Sequence, residues 1–537
     1  MTSSCVDLSG TIARSACMSI IRKGRPRLSS GAMTSLPRIV ILLLFMAFPV
    51  TVADAQAQDP VHIGYQQFYA GDTNGAQQQF AKLLAVRPDD LAARFGDLMV
   101  LDYRTNIDAG LEAEFERKID TFLGDAARRH SRSATDDDAL FHLAIGHLLR
   151  AQYRLRNDKG VFAAARDGAN VKRYAEAYIK RRPEHGDAYL PLGVYNYFME
   201  LAPAFFKVIR TFLFLPGGNR AEGLKQIERA YRDGSHFSFV AGLTLAEIYG
   251  TFEARADEGV VVGKRLAGQY PDNPAPQLLL AGLHLSPAIE DHATAAAQFQ
   301  AVIEREDRRN EPRLAKYEAR MGLASARFGQ WRLAEAAAVL TEIIDANPFR
   351  FRGVMPNALL RRANFRALLD DPAAGEDARR VKENVAWRDF HEDADEQLSW
   401  IGRRRKSGES AVYAALIPAN GLAAAKQWDE AAAAYERFRQ QHPNDVQVKF
   451  RIGHLALLRG DVERAVRDLT PLVEHRSSPS WLKAQALLHV ARAHDIRGRR
   501  AEAKRVYERI VDEYGSESAA LAARLGLITP YQKRPSG

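Results

Sequence analysis

Ala431-Ala-Ala-Ala-Tyr435-Glu-Arg-Phe438, closed five residues later by Pro443, is the stretch that decides the fold, because it recurs. Ala465 heads Ala465-Val-Arg-Asp-Leu469-Thr-Pro-Leu472, and Ala503 heads Ala503-Lys-Arg-Val-Tyr507-Glu-Arg-Ile510. The first two alanines are 34 residues apart and the next two 38, as if four residues had been inserted. Two antiparallel helices approach closely only where one side chain is small, and a large side chain four positions later fills the adjoining gap. A proline after the second helix ends it and turns the chain into the next unit. A small-residue slot at this period predicts stacked helical hairpins, with Ala431, Ala465 and Ala503 at the contacts.

The same frame extends outward. The unit from Val446 carries Ile452-Gly453 in its first helix and the Gly460-Asp461 turn before Ala465 and Leu469. Near Pro60 the chain has Ile63-Gly64, Gly71-Asp72, then Ala76, Phe80, Leu83 and Pro88. The last unit has Val490-Ala491, Gly498, Ala503, Tyr507 and Ile510. The unit at 412–443 keeps Ala431, Tyr435 and Pro443 but has Pro418 inside its first helix, where a kink is expected. Weaker units lie at 317–348, with Ala336, Leu340 and Pro348, and at 276–307, with Ala295 and Phe299. Around 240–271 only helix lengths and the stop Tyr270-Pro-Asp-Asn-Pro274 survive. No sustained alternating β-branched run marks a strand.

This pattern resembles the tetratricopeptide repeat family, whose unit reads Leu-Gly-x2-Tyr, then Ala-x3-Phe, then Pro. The resemblance implies an all-α, right-handed superhelical solenoid of antiparallel helix hairpins. It also implies a protein or peptide partner in the concave groove lined by the first helices. The residues expected to pack the repeats are Gly64, Ala76, Phe80, Pro88, Ala336, Pro348, Ala431, Tyr435, Pro443, Gly453, Ala465, Leu469, Ala503 and Tyr507.

The front of the chain reads differently. Met33-Thr-Ser-Leu-Pro-Arg38 is a short basic start, and Ile39 to Phe48 is an uninterrupted apolar run. Ala55-Gln56-Ala57 fits a small-x-small cleavage site, with Ala53-Asp54-Ala55 as the alternative. Residues 33–57 are therefore expected to be a secretory signal peptide, and the mature chain to be periplasmic. An apolar run of about ten residues falls short of the roughly 20 that span a bilayer. No cysteine follows it, which argues against a lipid anchor. Residues 1–32 lie outside this logic, so Met33 reads as the start, with a long basic leader as the other reading. Cys5 and Cys17 are the two cysteines of the chain, so the mature protein has no thiol for a disulfide or for catalysis.

Charge narrows the function further. The chain has 75 Lys and Arg against 66 Asp and Glu. Six basic and two acidic residues precede residue 58, leaving 69 against 64, or +5. Spread over a long solenoid, that is no case for nucleic acid. The domain plan is a leader and signal (1–57), an N-terminal arm (58–380), a charged connecting region (381–406), C-terminal repeats with a capping helix (407–527) and a loose tail (528–537).

The segment 187–232 interrupts the repeat with a helix rich in large apolar residues, the sharp turn Pro216-Gly217-Gly218-Asn219-Arg220, and an amphipathic helix with Gly223, Leu224 and Ile227. Glu200, Pro203, Lys207 and Arg210 make a membrane span improbable. The block is similar to a segment of bacterial secreted tetratricopeptide proteins and, more faintly, to a eukaryotic family of inclusion-body clearance proteins. Burial within the solenoid is the first reading of its aromatic side chains. Partner contact through Tyr195, Tyr197, Phe206 and Phe214 is the second. Pro-Gly-Gly-Asn lacks the spacing and the Lys-Ser/Thr of a phosphate loop.

No catalytic, cofactor-binding or metal-ligating set stands out. The chain has 14 histidines but no His-Glu-x-x-His, and His142/His147 and His489/His494 are five apart rather than the three or four that place two ligands together on a helix. The acidic group Asp389, Glu392, Asp393, Asp395 and Glu396 and the basic run Arg403-Arg404-Arg405-Lys406 read as a solvated segment and a helix end. A non-catalytic periplasmic scaffold that needs no cofactor is the leading expectation. A helical-solenoid enzyme or glycan-processing protein of the cell envelope is the alternative, and it requires two carboxylates facing each other in a closed pocket.

Overall fold

Helix starts in this chain are written by aspartate. Asp72, Asp90, Asp136 and Asp461 each follow a turn and accept a hydrogen bond from the backbone N–H three residues on (2.8, 3.0, 2.8 and 3.2 Å). Each thereby satisfies a donor that the first helical turn leaves free. Gly71 and Gly460, just before two of these caps, sit at φ +85° and +89°, where a side chain is strained.

The computed structural model describes residues 59–157, 159–201, 217–309, 313–348, 351 and 353–532. Among the described residues 24 α-helices follow one another, with three short 3-10 turns and no strand. Helices α1 (Pro60–Tyr69) and α2 (Thr73–Val86) form the first hairpin, α3 (Leu91–Thr105) and α4 (Glu112–Arg132) the second, and α5 (Asp137–Arg156) and α6 (Val161–Arg181) the third. Next come α7 (Tyr189–Leu201) and α8 (Arg220–Asp233), then α9 (Ser238–Thr251) with α10 (Ala256–Gln269). The stack continues through α11 (Pro274–His284) and α12 (His292–Arg308), α13 (Leu314–Gly329) and α14 (Leu333–Asp345), and α15 (Val354–Leu368) and α16 (Ala374–Glu383). After α17 (His391–Ser407) come α18 (Glu409–Ala424) and α19 (Trp428–Gln441), α20 (Val446–Arg459) and α21 (Val462–Glu474), and α22 (Ser480–Ile496) and α23 (Arg500–Glu513). Helix α24 (Ala519–Ile528) ends the series. Each helix packs on the next along the chain. The fold is an all-α helical-hairpin solenoid.

The hairpins are held by a ring set against a glycine. Phe80 on α2 is fully buried, and a Cβ added at Gly64 on α1 would stand 2.7 Å from its ring. Gly96 on α3 meets the tip of the same ring, closer still. Phe122 against Gly146 and Phe299 against Gly322 repeat the arrangement across successive hairpins. Gly453 takes Leu469 in the same way, at 2.8 Å. Ala76, Ala336, Ala431, Ala465 and Ala503 have no exposed surface at all.

The charged stretch 381–406 comprises the end of α16, a 3-10 segment over Val385–Phe390 and most of α17. Trp400 of α17 is buried, and the Arg404 guanidinium lies over the rings of Trp400 and Tyr413. Arg404, Arg405 and Lys406 occupy the last turn of α17, where cations offset the helix dipole. Pro418 sits inside α18, which continues past it to Ala424.

A second set of contacts joins helices far apart in sequence. The Asn273 side-chain amide donates to the Tyr69 carbonyl at 2.8 Å. Tyr69 stacks near Phe239, and Tyr65 meets Phe237 edge-on. Trp331, in the turn between α13 and α14, packs on Tyr413 of α18 and lies under Arg451 of α20. Arg492 of α22 pairs with Glu290, from the loop between α11 and α12, at 2.9 Å. The superhelix therefore winds tightly enough for one turn to rest on another. The inner faces of the first helices are largely covered by the chain itself.

Candidate binding surface

The predicted packing residues sit where helices meet. Tyr435, Leu469 and Tyr507 are buried beside their alanines, and Pro348 is buried. Pro88 and Pro443 lie exposed in the turns they make.

Tyr195 and Tyr197 do not stand where a partner contact needs them, and this corrects the surface reading of both. Tyr197 is fully buried, its hydroxyl donating to Glu253 Oε1 at 2.6 Å and its ring under the Arg220 guanidinium. Tyr195 is buried with the Lys172 ammonium over its ring. The physical cause is the close approach of α7 and α8 at Gly193 and Gly223. A Cβ at Gly193 would stand 2.8 Å from the Gly223 carbonyl, an approach that buries Tyr197, while Tyr195 is buried against Gly168 and Lys172 of α6. Phe206 and Phe214 lie outside the described residues.

Polar chemistry collects instead on the inner face of α20 and α22. His454 and His489 stack with ring centroids 4.0 Å apart. They stand on successive first helices, 35 residues apart. Burial, followed by the Arg451 and Arg492 cations, pushes the His454 pKa down to about 3. Burial does the same to His489, with His454 and the two arginines adding to it. The rings are neutral near neutrality, and the positive charge of this face belongs to Arg451 and Arg492.

Asp495, one turn beyond Arg492, is a hub. Its carboxylate accepts from Arg500 Nη1 at 3.0 and 3.2 Å and from the Tyr507 hydroxyl at 3.0 Å. It also accepts from the backbone N–H of Tyr531 at 2.8 Å. The Arg492 guanidinium lies 4.6 Å from the Tyr531 ring centroid. The sequence did carry a signal for this face. His489, Arg492 and Asp495 recur every three residues on one helix, a stripe masked by pairing His489 with His494.

A second polar knot ties α1, α7 and α9 together. Asp187, with no exposed surface, accepts from the backbone N–H groups of His236 (2.8 Å) and Phe237 (2.7 Å) and from the Ser235 hydroxyl (2.9 Å). Burial raises its pKa, but hydrogen bonding to His185 and the rings of His236 and His185 outweigh burial and hold it below the usual range. With its acceptors used, this carboxylate anchors the start of α9 rather than a ligand.

Thr105, Asn106, Tyr317, Met321 and Asn357 help line a cavity of about 30 Å³, room for about one water and no substrate. Among the described residues no three His, Cys, Asp or Glu side chains stand close enough to hold a metal ion. No described helix is long and apolar enough to cross a membrane.

Residues 419–445, from the second half of α18 through α19 to the cap of α20, match the tetratricopeptide repeat family model. The chain carries a tetratricopeptide repeat. No curated protein matches it. A solved structure titled "Structure of Naa15/Naa10 bound to HypK-THB" aligns with 88% of this chain and 78% of that chain, at 13% identity and a TM-score of 0.21. At that score the fold rests on this chain's own helices and on the tetratricopeptide match. The repeats flanking the match share its hairpin geometry and its alanine slot.

Proposed function

We propose that this protein is a non-catalytic scaffold that holds a protein or peptide partner, and that it works in the periplasm. The observation that carries the reading is the inner face of the last repeats. There Arg451 and Arg492 hold fixed charges on rigid helices beneath a thin cover of Trp331, Glu290 and Tyr531, and Asp495 is buried beside them. Helical-repeat stacks use such faces to position partners, with side chains supplying selectivity along an extended or helical segment. The tight winding restricts where a partner can enter. The contacts between turns run through single residues, Asn273 on Tyr69 near the start of the stack and Trp331, Glu290 and the Tyr531 tail on the last repeats. The periplasmic part rests on the leader-like residues 33–57 and on the absence of cysteine after Cys17.

Two measurements test this. Fractionation with N-terminal sequencing is expected to find a soluble periplasmic chain beginning near Gln58, and a cytoplasmic chain with its leader intact overturns the location. Crosslinked capture of the mature chain from an envelope extract is expected to give a partner lost on Arg492→Gln but kept on Ala433→Ser, a change at an exposed position of α19. A capture indifferent to both substitutions overturns the scaffold site.

A further inference from the structure

The end of the chain turns back onto the face just described. After α24, Thr529 and Pro530 are exposed and Tyr531 is half-buried. The Arg500 guanidinium donates to the carbonyls of Gly526 (2.6 Å) and Leu527 (3.0 Å), which fixes the point where the tail leaves the helix. Tyr531 then meets α22 through its backbone N–H on Asp495 and its ring under Arg492. Glu290 holds Arg492 from the other side, so the guanidinium plane is set before any ring arrives. This is the geometry of a short extended peptide on a repeat surface: a main-chain donor satisfied by a carboxylate and an aromatic side chain on a cation.

We propose that Thr529–Gln532 is a built-in occupant of this surface, and that a partner docks there by displacing it. The partner segment is extended, with an aromatic side chain to replace the Tyr531 ring and a backbone N–H for Asp495. Thr529, Pro530 and Gln532 are exposed, and Tyr531 is the half-buried residue that seats the tail on Arg492 and Asp495. Asp495 remains satisfied by Arg500 and Tyr507 once the tail is gone, so the empty patch is stable. The partner half of this proposal rests on the scaffold reading, whereas the occupied patch does not.

The test uses the mature full-length protein and a fluorescein-labelled peptide with the sequence of residues 528–537, followed by anisotropy. Tyr531→Ala removes the internal competitor, and this variant is expected to bind the peptide about tenfold tighter than the unsubstituted protein. Adding Arg492→Gln is expected to abolish the gain. Should the double variant fail to fold, a peptide with alanine in place of its tyrosine serves instead, and it is expected not to bind. Equal binding to both proteins, or no binding to a Tyr531→Ala protein of unchanged melting temperature, overturns the proposal. A bound peptide with no captured envelope partner sinks the scaffold reading and leaves the tail-occupied patch standing.

Discussion

Asn273 donates its side-chain amide to the backbone carbonyl of Tyr69 across 204 residues of chain. The same asparagine caps α11 through its side-chain oxygen, accepting from Ala275 N–H at 2.9 Å. One residue thus starts a helix in the sixth hairpin and fastens the first hairpin to it. Contacts of this kind turn a row of hairpins into a coil that rests on itself. They also explain why the aromatic faces of α1 and α9 are interior rather than open to a ligand.

The alanine slot is the part of the fold on which the repeat phase depends. Ala465 has no exposed surface, whereas Ala433, two residues from the Ala431 slot, is exposed. Ala465→Leu forces extra methylenes into a close helix contact and is expected to cost about 1–3 kcal/mol. Ala433→Leu is expected to be nearly neutral. Thermal melts of the two variants compare them directly, and equal tolerance at both positions would place the repeat in another phase.

Glycine has two opposite roles in these helices. A Cβ at Gly96 runs into the Phe80 ring, which Gly64 already confines. Gly96→Ala is expected to destabilise by about 1–3 kcal/mol, the cost of overpacking. A Cβ at Gly421, inside α18, meets nothing within 4 Å. Gly421→Ala is expected to stabilise by about 0.5–1 kcal/mol, because only the helix-propensity term remains. Urea unfolding of both variants should give shifts of opposite sign.

Stability is expected to fall as pH is lowered from 7 towards 5. His454 and His489 are held neutral in the fold, facing Arg451 and Arg492, with Glu290 on the far side of Arg492. Their folded pKa values lie below the unfolded value near 6.5, so the unfolded chain takes up protons that the folded chain refuses. The stabilisation is complete above about pH 6.5 and declines by about 1.4 kcal/mol per pH unit for each such histidine. Burial depresses His62, His147, His236, His292 and His494 in the same direction. Urea melts between pH 7.5 and 5 should show this loss, with a shallower slope for His489→Gln. A slope unchanged by that substitution would mean that the ring is solvated.

The sequence made the repeat legible because small and large residues recur with a period that only stacked hairpins explain. Ala76, Phe80, Ala431, Ala465 and Ala503 were readable for that reason. The glycine partners of the rings were harder to see. Gly96, Gly146 and Gly322 belong to the hairpin after the one whose ring they receive, so no single unit displays the pair. The burial of Tyr197 follows from the approach of Gly193 to Gly223, and that of Tyr195 from Gly168 of α6, neither of which one helix's pattern reveals. The Arg492–Tyr531 contact was illegible because it joins a helix to a tail with no repeat signature. Winding was hidden too, since the long-range contacts run through loop residues such as Glu290 and Trp331.

Self-packing of the coil is the central claim, and an intramolecular crosslink tests it most directly. Ala70 and Asp272 are exposed and flank the contacting residues Tyr69 and Asn273. Both cysteines of the chain, Cys5 and Cys17, lie before residue 58, so a protein beginning at Gln58 offers no competing thiol. With Ala70→Cys and Asp272→Cys, a short bifunctional maleimide is expected to join the two positions rapidly within one chain, seen by mass spectrometry as a single linked peptide pair. Absence of that link, or links formed only between chains, would mean an open solenoid and would contradict the account.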